Sequence, residues 1–278
     1  MKKTAFLALV LLAAPALAQP GPKGGPAGGA GTAAAPAGSA LATYVATLPK
    51  EALSGGETAL LVYTREEEKL ARDVYRALFA VHGDRSFANI AEAEQRHMDD
   101  VKLLLDRYSL ADPAAATAPG EFKDSRLAAL YAELVAKGTA SLVEAMKVGA
   151  TIEDLDLADV GRGLATADNR DVDAVMQNLA KGSRNHLRAF SRRLSALGGT
   201  YAAQYLTADE VAAILAAPQE RGAYDENGKL LAGSCTGQGA GGRGRGRGRG
   251  NGTCTGQGPQ AGAGQGPGDG TGPNCPKG

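Results

Sequence analysis

From about Leu53 to Leu215 apolar residues return every three or four positions, the spacing that gathers them on one face of an α-helix. Four long helices are predicted from this pattern. The first is opened by the capping box Ser54-x-x-Glu57 and ends at the Gly83 turn; its stripe reads Leu60, Tyr63, Glu67, Leu70, Val74, Ala77, Val81. The second takes Ser86 as its cap, reaches about Tyr108 and is stopped by Asp112-Pro113, with Phe87, Ile90, Glu94, His97, Val101, Leu104 and Tyr108 inward. Ser141-x-x-Glu144 opens the third, which runs to about Leu164 and turns Leu142, Met146, Gly149, Glu153, Asp156 and Val160 inward. The fourth starts at Asp168 as cap and ends at Gly198-Gly199, presenting Val172, Val175, Leu179, Gly182, His186 and Phe190. Shorter helices are expected around Asp124 to Lys137 and from Thr207-x-x-Glu210 to about Ala216, and no stretch alternates as a strand would.

Connection lengths predict the topology. A few residues join the first helix to the second and the third to the fourth, which forces antiparallel hairpins, whereas about thirty residues separate the second from the third. Short, long, short is the order of an all-α, ferritin-like four-helix bundle with one long crossover.

Composition divides the chain into four expected stretches. Residues 1–18 read as a signal peptide, with Lys2 and Lys3 before the apolar run Ala5 to Leu12 and the small-x-small pattern Ala16-Leu17-Ala18. Residues 19–40 read as a flexible linker, 41–217 as the helical domain and 218–278 as a Gly-rich disordered tail. A periplasmic or secreted product without a membrane span is expected. Cys235, Cys254 and Cys275 all fall in the tail, so the core is not disulfide-stapled; their odd number implies one pair plus a free thiol, or intermolecular links. Arg243 to Gly250 alternates Arg and Gly, which suits weak contact with acidic polymers. The 30 basic and 30 acidic residues cancel over the whole chain, yet the tail from Gly233 carries five basic residues and one acid and the leader to Ala40 three lysines, which leaves the middle at −7. That balance argues against nucleic acid as a partner of the core and favours cations.

The predicted inner stripes carry polar groups that a simple core would not hold. Glu67, Glu94, His97, Glu153, Asp156 and His186 all lie within about four positions of their helix midpoints, hence within about 6 Å along the bundle axis. Isolated carboxylates are costly to bury unless paired, protonated or bound to metal. Four carboxylates and two imidazoles in one layer form an oxygen and nitrogen donor set suited to two divalent ions, iron or manganese, with zinc as the usual contaminant. Glu66 and Glu68 fall off the stripe and are expected on a solvated face, Tyr63 in the core, His82 at a helix C-terminus, and Arg184 and Arg188 beside acids near the site or on neighbouring helices.

The blocks Arg65-Glu-Glu-Glu-Lys-Leu-Ala-Arg-Asp-Val-Tyr75, Asn89-Ile-Ala-Glu-Ala-Glu-Gln-Arg-His97, Val148-Gly-Ala-Thr-Ile-Glu-Asp-Leu-Asp156 and Gly182-Ser-Arg-Asn-His-Leu-Arg-Ala-Phe190 together resemble the ferritin-like family called domain of unknown function 2202. The resemblance spans about Leu53 to Leu215 and implies a ferritin-like bundle with a di-metal centre, without supplying a reaction. Against the wider ferritin, bacterioferritin and rubrerythrin group, Glu67, the pair Glu94 and His97, and Glu153 match ligand positions. The second Glu-x-x-His does not match, because Ser183 stands three residues before His186; Asp156, one turn after Glu153, is the natural substitute.

These observations lead to the expectation of an exported di-metal, di-iron carboxylate protein that reacts with oxygen or peroxide, in iron oxidation or peroxide scavenging. A metal-binding or buffering protein without turnover, and an envelope interaction protein with the bundle as spacer, are the alternatives.

Overall fold

Ser54 and Glu57 form the reciprocal capping box that opens the first long helix, and Gly83 closes it in the left-handed region at φ 65°. The computed structural model describes residues 39–232, and the regular elements there are helical apart from an isolated antiparallel bridge between Tyr224 and Leu230. Helix α1 spans Ala40–Thr47, α2 Gly55–His82, α3 Arg85–Tyr108, α4 Ser125–Gly138, α5 Leu142–Leu164, α6 Arg170–Ala196 and α7 Ala208–Ala216. The expected signal segment, the expected linker before Ser39 and the cysteine-bearing stretch from Gly233 lie outside the described residues. Among the described residues no helix is long and apolar enough to cross a membrane.

Two caps differ from those expected. Asp84, not Ser86, caps α3, its carboxylate accepting from the Ser86 amide at 3.0 Å. Asn169, not Asp168, precedes α6 and makes no side-chain cap bond. Glu57 of α2 supplies the missing acceptor, taking the amides of Asp168 and Asn169 at 3.2 and 2.9 Å. One carboxylate thus serves its own helix and the positive end of another.

Helices α2 and α6 each pack on both α3 and α5, so the four long helices close into a ring. Leu60 lies against Gly163 while Tyr75 reaches Glu153, so α2 and α5 are antiparallel. Tyr108 bonds Asp171 while Glu94 meets His186, which makes α3 and α6 antiparallel as well. The two hairpins complete the pattern. Helices α3 and α5 therefore run the same way, and the connection between them has to travel back along the bundle, with α4 lying on α2 and α5 as it does so. The core of Leu61, Val74, Leu104, Met146, Val175 and Leu187 is fully buried, each such side chain contributing roughly 1.5–3 kcal/mol. Tyr75, Phe87 and Phe190 pack ring to ring with centroids 5.1 to 6.2 Å apart. Gly149 makes room for them, since a Cβ there would come within 2.6 Å of the Phe190 ring.

Polar residues on the outer face of α2 hold the crossover. Buried Lys69 pairs with Asp73 at 2.7 Å and donates to the carbonyls of Ala118 and Glu121 at 2.8 and 3.0 Å. Arg65 pairs with Asp112 at 2.9 Å.

The expected flanks are corrected at both ends. Ser39 and Ala40, assigned to the linker, begin α1: Ser39 accepts from the Ala42 amide, and Leu41 and Val45 are buried with α1 against α6. Residues 218–232, assigned to the disordered tail, form an ordered strap along α6. Glu220 accepts from Arg184 and Arg188, Asn178 bonds both backbone groups of Tyr224, and Arg170 pairs with Glu226 at 2.5 Å. The physical reason is local composition: this stretch has Glu220, Tyr224 and Glu226 set opposite basic and amide side chains, before the glycine repeats begin.

Candidate metal centre

Four helices deliver carboxylates or imidazoles to the middle of the bundle, and all six residues picked out by spacing are buried. Glu94 of α3 stands between two histidines. Its Oε2 lies 2.7 Å from Nδ1 of His97, one turn further on, and its Oε1 lies 2.9 Å from Nδ1 of His186 on α6. The two imidazoles stack with centroids 5.4 Å apart. Glu94, His97 and His186 each offer a ligand atom within 4.8 Å of the others. Glu153 of α5 extends the group, with Oε2 3.5 Å from Nδ1 of His186 and Oε1 accepting from the buried Tyr75 hydroxyl at 2.5 Å.

Glu67 and Asp156 approach from α2 and α5. Both oxygens of Glu67 are buried without a hydrogen-bond partner. Asp156 accepts a short hydrogen bond from Ser183 at Oδ2, and its Oδ1 has no partner. Burial raises both carboxyls well above the usual range; the charges of Asp156 and Glu68 add to it for Glu67, and that of Glu68 for Asp156.

The remaining groups titrate far from their ordinary values for the same reasons. Burial opposes protonation of His186, but the carboxylates of Glu94 and Glu153 outweigh it and push the imidazole up to about 10. His97 is raised in the same way, by Glu68 and Glu94 against burial. Glu94 is desolvated too, yet His186 and His97 on either side hold it well below the carboxylate range. Glu153 is pushed up to about 8 by burial and by the charge of Glu94. Burial and the mutual charges thus shift His97, His186, Glu67, Glu68, Glu153 and Asp156 upward and Glu94, between the rings, downward.

Glu66 and Glu68 contradict the expectation of a solvated face, being 3% and 2% exposed. Glu68 Oε2 lies 3.2 Å from Nδ1 of His97, its Oε1 has no partner, and burial, partly offset by His97, raises it to about 7. It belongs to the cluster. Glu66 turns instead to the crossover, accepting the Lys123 and Asp124 amides at 2.5 and 3.0 Å where α4 begins. Other expected roles are also specified. Tyr63 is half-buried beside a cavity of about 840 Å³ lined by Lys123, Arg126 and Arg162, His82 meets the Gly138 carbonyl that ends α4, and Arg184 and Arg188 pair with Glu220 of the strap.

Gly182 sits beside the cluster with nothing where a side chain would begin. A Cβ at that position would lie 2.2 Å from Nε2 of His97, so the glycine is what lets α6 pass the imidazole. From the outer side, a cavity of about 350 Å³ reaches both histidines, walled by α3 and α6 and roofed by residues 39–41 and 220–223.

Fold and cluster together define an all-helical bundle with a buried carboxylate and imidazole centre. The chain belongs to the family described as an uncharacterized protein domain, DUF2202, which matches residues 57–218 and so contains the whole cluster. It is similar to the uncharacterized protein MJ0754 of Methanocaldococcus jannaschii, with 48% identity over 179 residues that cover 64% of this chain and 97% of that protein. The crystal structure of hypothetical protein MJ0754 is similar at 47% identity with a TM-score of 0.62, covering 63% of this chain and 99% of that one.

Proposed function

We propose that this chain is an exported, ferritin-like protein whose bundle binds two divalent metal ions, iron in the working form, and reacts with oxygen or peroxide. The observation that carries the reading is the set of buried carboxylate oxygens without hydrogen-bond partners, on Glu67, Glu68 and Asp156, beside two histidines that share Glu94. Unpaired buried acids cost several kcal/mol, and a cation between them removes that cost. The antiparallel ring with one long return connection supports the ferritin-like comparison. The signal-like leader supports export.

In this reading Glu94, between the imidazoles, would help to hold the ions, which would supply redox chemistry there. His97 with Glu68, His186 with Glu153, and Glu67 and Asp156 would be the other residues to hold them. When bound, two ferrous ions would supply the electrons that reduce oxygen or peroxide. The chain's own work is to give up the protons of His97 and His186 on loading and to hold Asp156 through Ser183 and Glu153 through Tyr75. Outside the cytoplasm, consumption of Fe²⁺ or use of peroxide as oxidant fits better than a cycle that needs repeated reduction by a nicotinamide-linked partner.

Metal content per chain, followed by absorbance after oxygen or peroxide is mixed with the iron-loaded protein, tests the proposal. Two ions per chain and a rapid absorbance change are expected, both lost in a Glu94→Ala, His97→Ala double variant. Full occupancy in that variant would remove the assignment. A centre that takes only zinc from iron-replete cells, with no spectral response after iron loading, would leave metal buffering as the role.

A further inference from the structure

We propose that the cavity beside His97 and His186 is a binding pocket for a small anion, a carboxylate or inorganic anion of few non-hydrogen atoms. Its role as the centre's reactant pocket rests on the metal reading; the pocket's preference for an anion does not.

Size sets the first limit. At about 350 Å³ the cavity lies at the small end of ligand pockets, and with water taking about 30 Å³ it holds roughly ten waters' worth of ligand. The lining sets the second. Its apolar side chains are those of Ala40, Leu41, Ala93 and Ala223, of which only Leu41 is larger than a methyl group, too few to receive a hydrocarbon chain.

Charge decides the class. Arg96, Lys181 and Arg221 line the cavity, against Asp100 and Glu220. Glu220 is already matched by two further cations: it accepts from Arg184 at 2.8 and 2.6 Å and from Arg188 at 2.8 Å. The lining thus carries three cations against two acids, and one of those acids, Glu220, is also paired with Arg184 and Arg188, in a domain whose sequence is otherwise acidic. Such a local reversal of sign, with low-dielectric walls, concentrates anions at the mouth. Lys181 reaches over from α6, spending donors on the Gly222 carbonyl at 2.6 Å and Asn178 Oδ1 at 3.2 Å. Two of the ammonium's three N–H groups are spent in this way; the charge also faces the Tyr224 ring, 5.6 Å from its centroid, and Asp100, so the third N–H serves a ligand in competition with these.

Ser39 to Leu41 and Glu220 to Ala223 both fall outside the family-matched residues 57–218. The centre lies within the family match, while part of the pocket that would select its reactant is added from outside it.

The test is a titration of the full chain, zinc-loaded and metal-free, with acetate and with its neutral counterpart acetamide at constant ionic strength, following the backbone amides of Asn178, Lys181 and Gly222 by NMR. Saturable shifts with acetate and not with acetamide are expected, and Lys181→Met and Arg96→Gln should each weaken acetate at least about fivefold. Arg96 is exposed, so its variant guards against a misfolded Lys181 variant. Equal response to the two probes, shifts that never saturate, or indifference to both substitutions would overturn the proposal. Zinc content, measured by dialysis on the same samples, judges the metal reading separately: a chain that takes no zinc but binds acetate would keep the pocket and lose the centre.

Discussion

Ser183 donates its hydroxyl hydrogen to Asp156 across the interface of α5 and α6. The relationship ties together two positions singled out in the sequence, the serine on α6 three residues before His186 and the acid on α5 one turn after Glu153. The serine holds the α5 carboxylate at the cluster. Ser183→Ala leaves one Asp156 oxygen without its donor, and a loss of about 1–3 kcal/mol in metal-free stability is expected by urea unfolding. Asp156→Asn should have the opposite balance: it replaces an acid whose charged form burial disfavours with a neutral amide of the same size, so metal-free stability holds or rises, while metal affinity falls. Unchanged metal affinity in Asp156→Asn would take that residue out of the ligand set.

The pH dependence of the metal-free chain follows from the raised groups. His186 goes from an ordinary 6.5 to about 10 on folding, so its contribution is complete below 6.5 and is lost as pH rises toward 10. Glu68 and Glu153, raised from 4.5 to about 7 and about 8, act in the same direction: the folded chain keeps protons that the unfolded chain has released. Glu94 is shifted downward and has the opposite effect, weakening the fold only as pH falls below its ordinary 4.5. Melting temperature without metal should therefore fall between about pH 6 and pH 9. Metal binding displaces the same protons, so the stabilisation added by zinc should grow over that interval. A metal-free melting temperature that climbs with pH would show that the histidines are not held protonated by these acids.

Two glycines separate a steric requirement from ordinary helix propensity. At Gly182 a methyl group would collide with His97, whereas at Gly161 of α5 nothing lies within 4 Å of the same position. Gly182→Ala should weaken metal binding by about tenfold or more through displacement of the imidazole. Gly161→Ala should leave metal binding alone and add up to about 1 kcal/mol of stability. Calorimetric zinc titration of both proteins checks this, and equal affinities would mean that the His97 ring has room to move.

Helix periodicity made the four long helices and the inward positions of Glu94, His97, Glu153 and His186 legible, because each of those helices has an apolar stripe that fixes its phase. The caps of α3 and α6 were less legible. Asp84 and Ser86 are both good caps, and the acceptor for α6 comes from Glu57, far away in sequence. Helix α1 and the strap were hidden by brevity: Leu41 and Val45 fill only a short stripe, and the strap is held by polar contacts that periodicity does not register. Glu66 and Glu68 were misplaced for a different reason. A single-stripe reading leaves the rest of α2 in water, but α4 packs on it along with α3 and α5, so α2 is covered on three sides.

That three-sided burial predicts different outcomes for three neighbouring glutamates, which successive steps of about 100° point in different directions. Glu66 serves the backbone at the start of α4, Glu67 lies toward the Asp156 side of the centre and Glu68 meets His97. Substitution by glutamine, nearly the same in volume, isolates the charge. Glu66→Gln turns an amide N–H₂ toward backbone N–H groups and should cost about 2 kcal/mol of stability with no change in metal content. Glu67→Gln removes an unpartnered buried carboxyl, so the metal-free chain should be as stable or more so while metal content drops. Glu68→Gln should lower metal content and also the metal-free stability, because His97 loses one of its two acids. Metal analysis and urea unfolding of the three variants read these patterns directly. A loss of metal in Glu66→Gln equal to that in Glu67→Gln would show that the crossover contact and the centre are one unit.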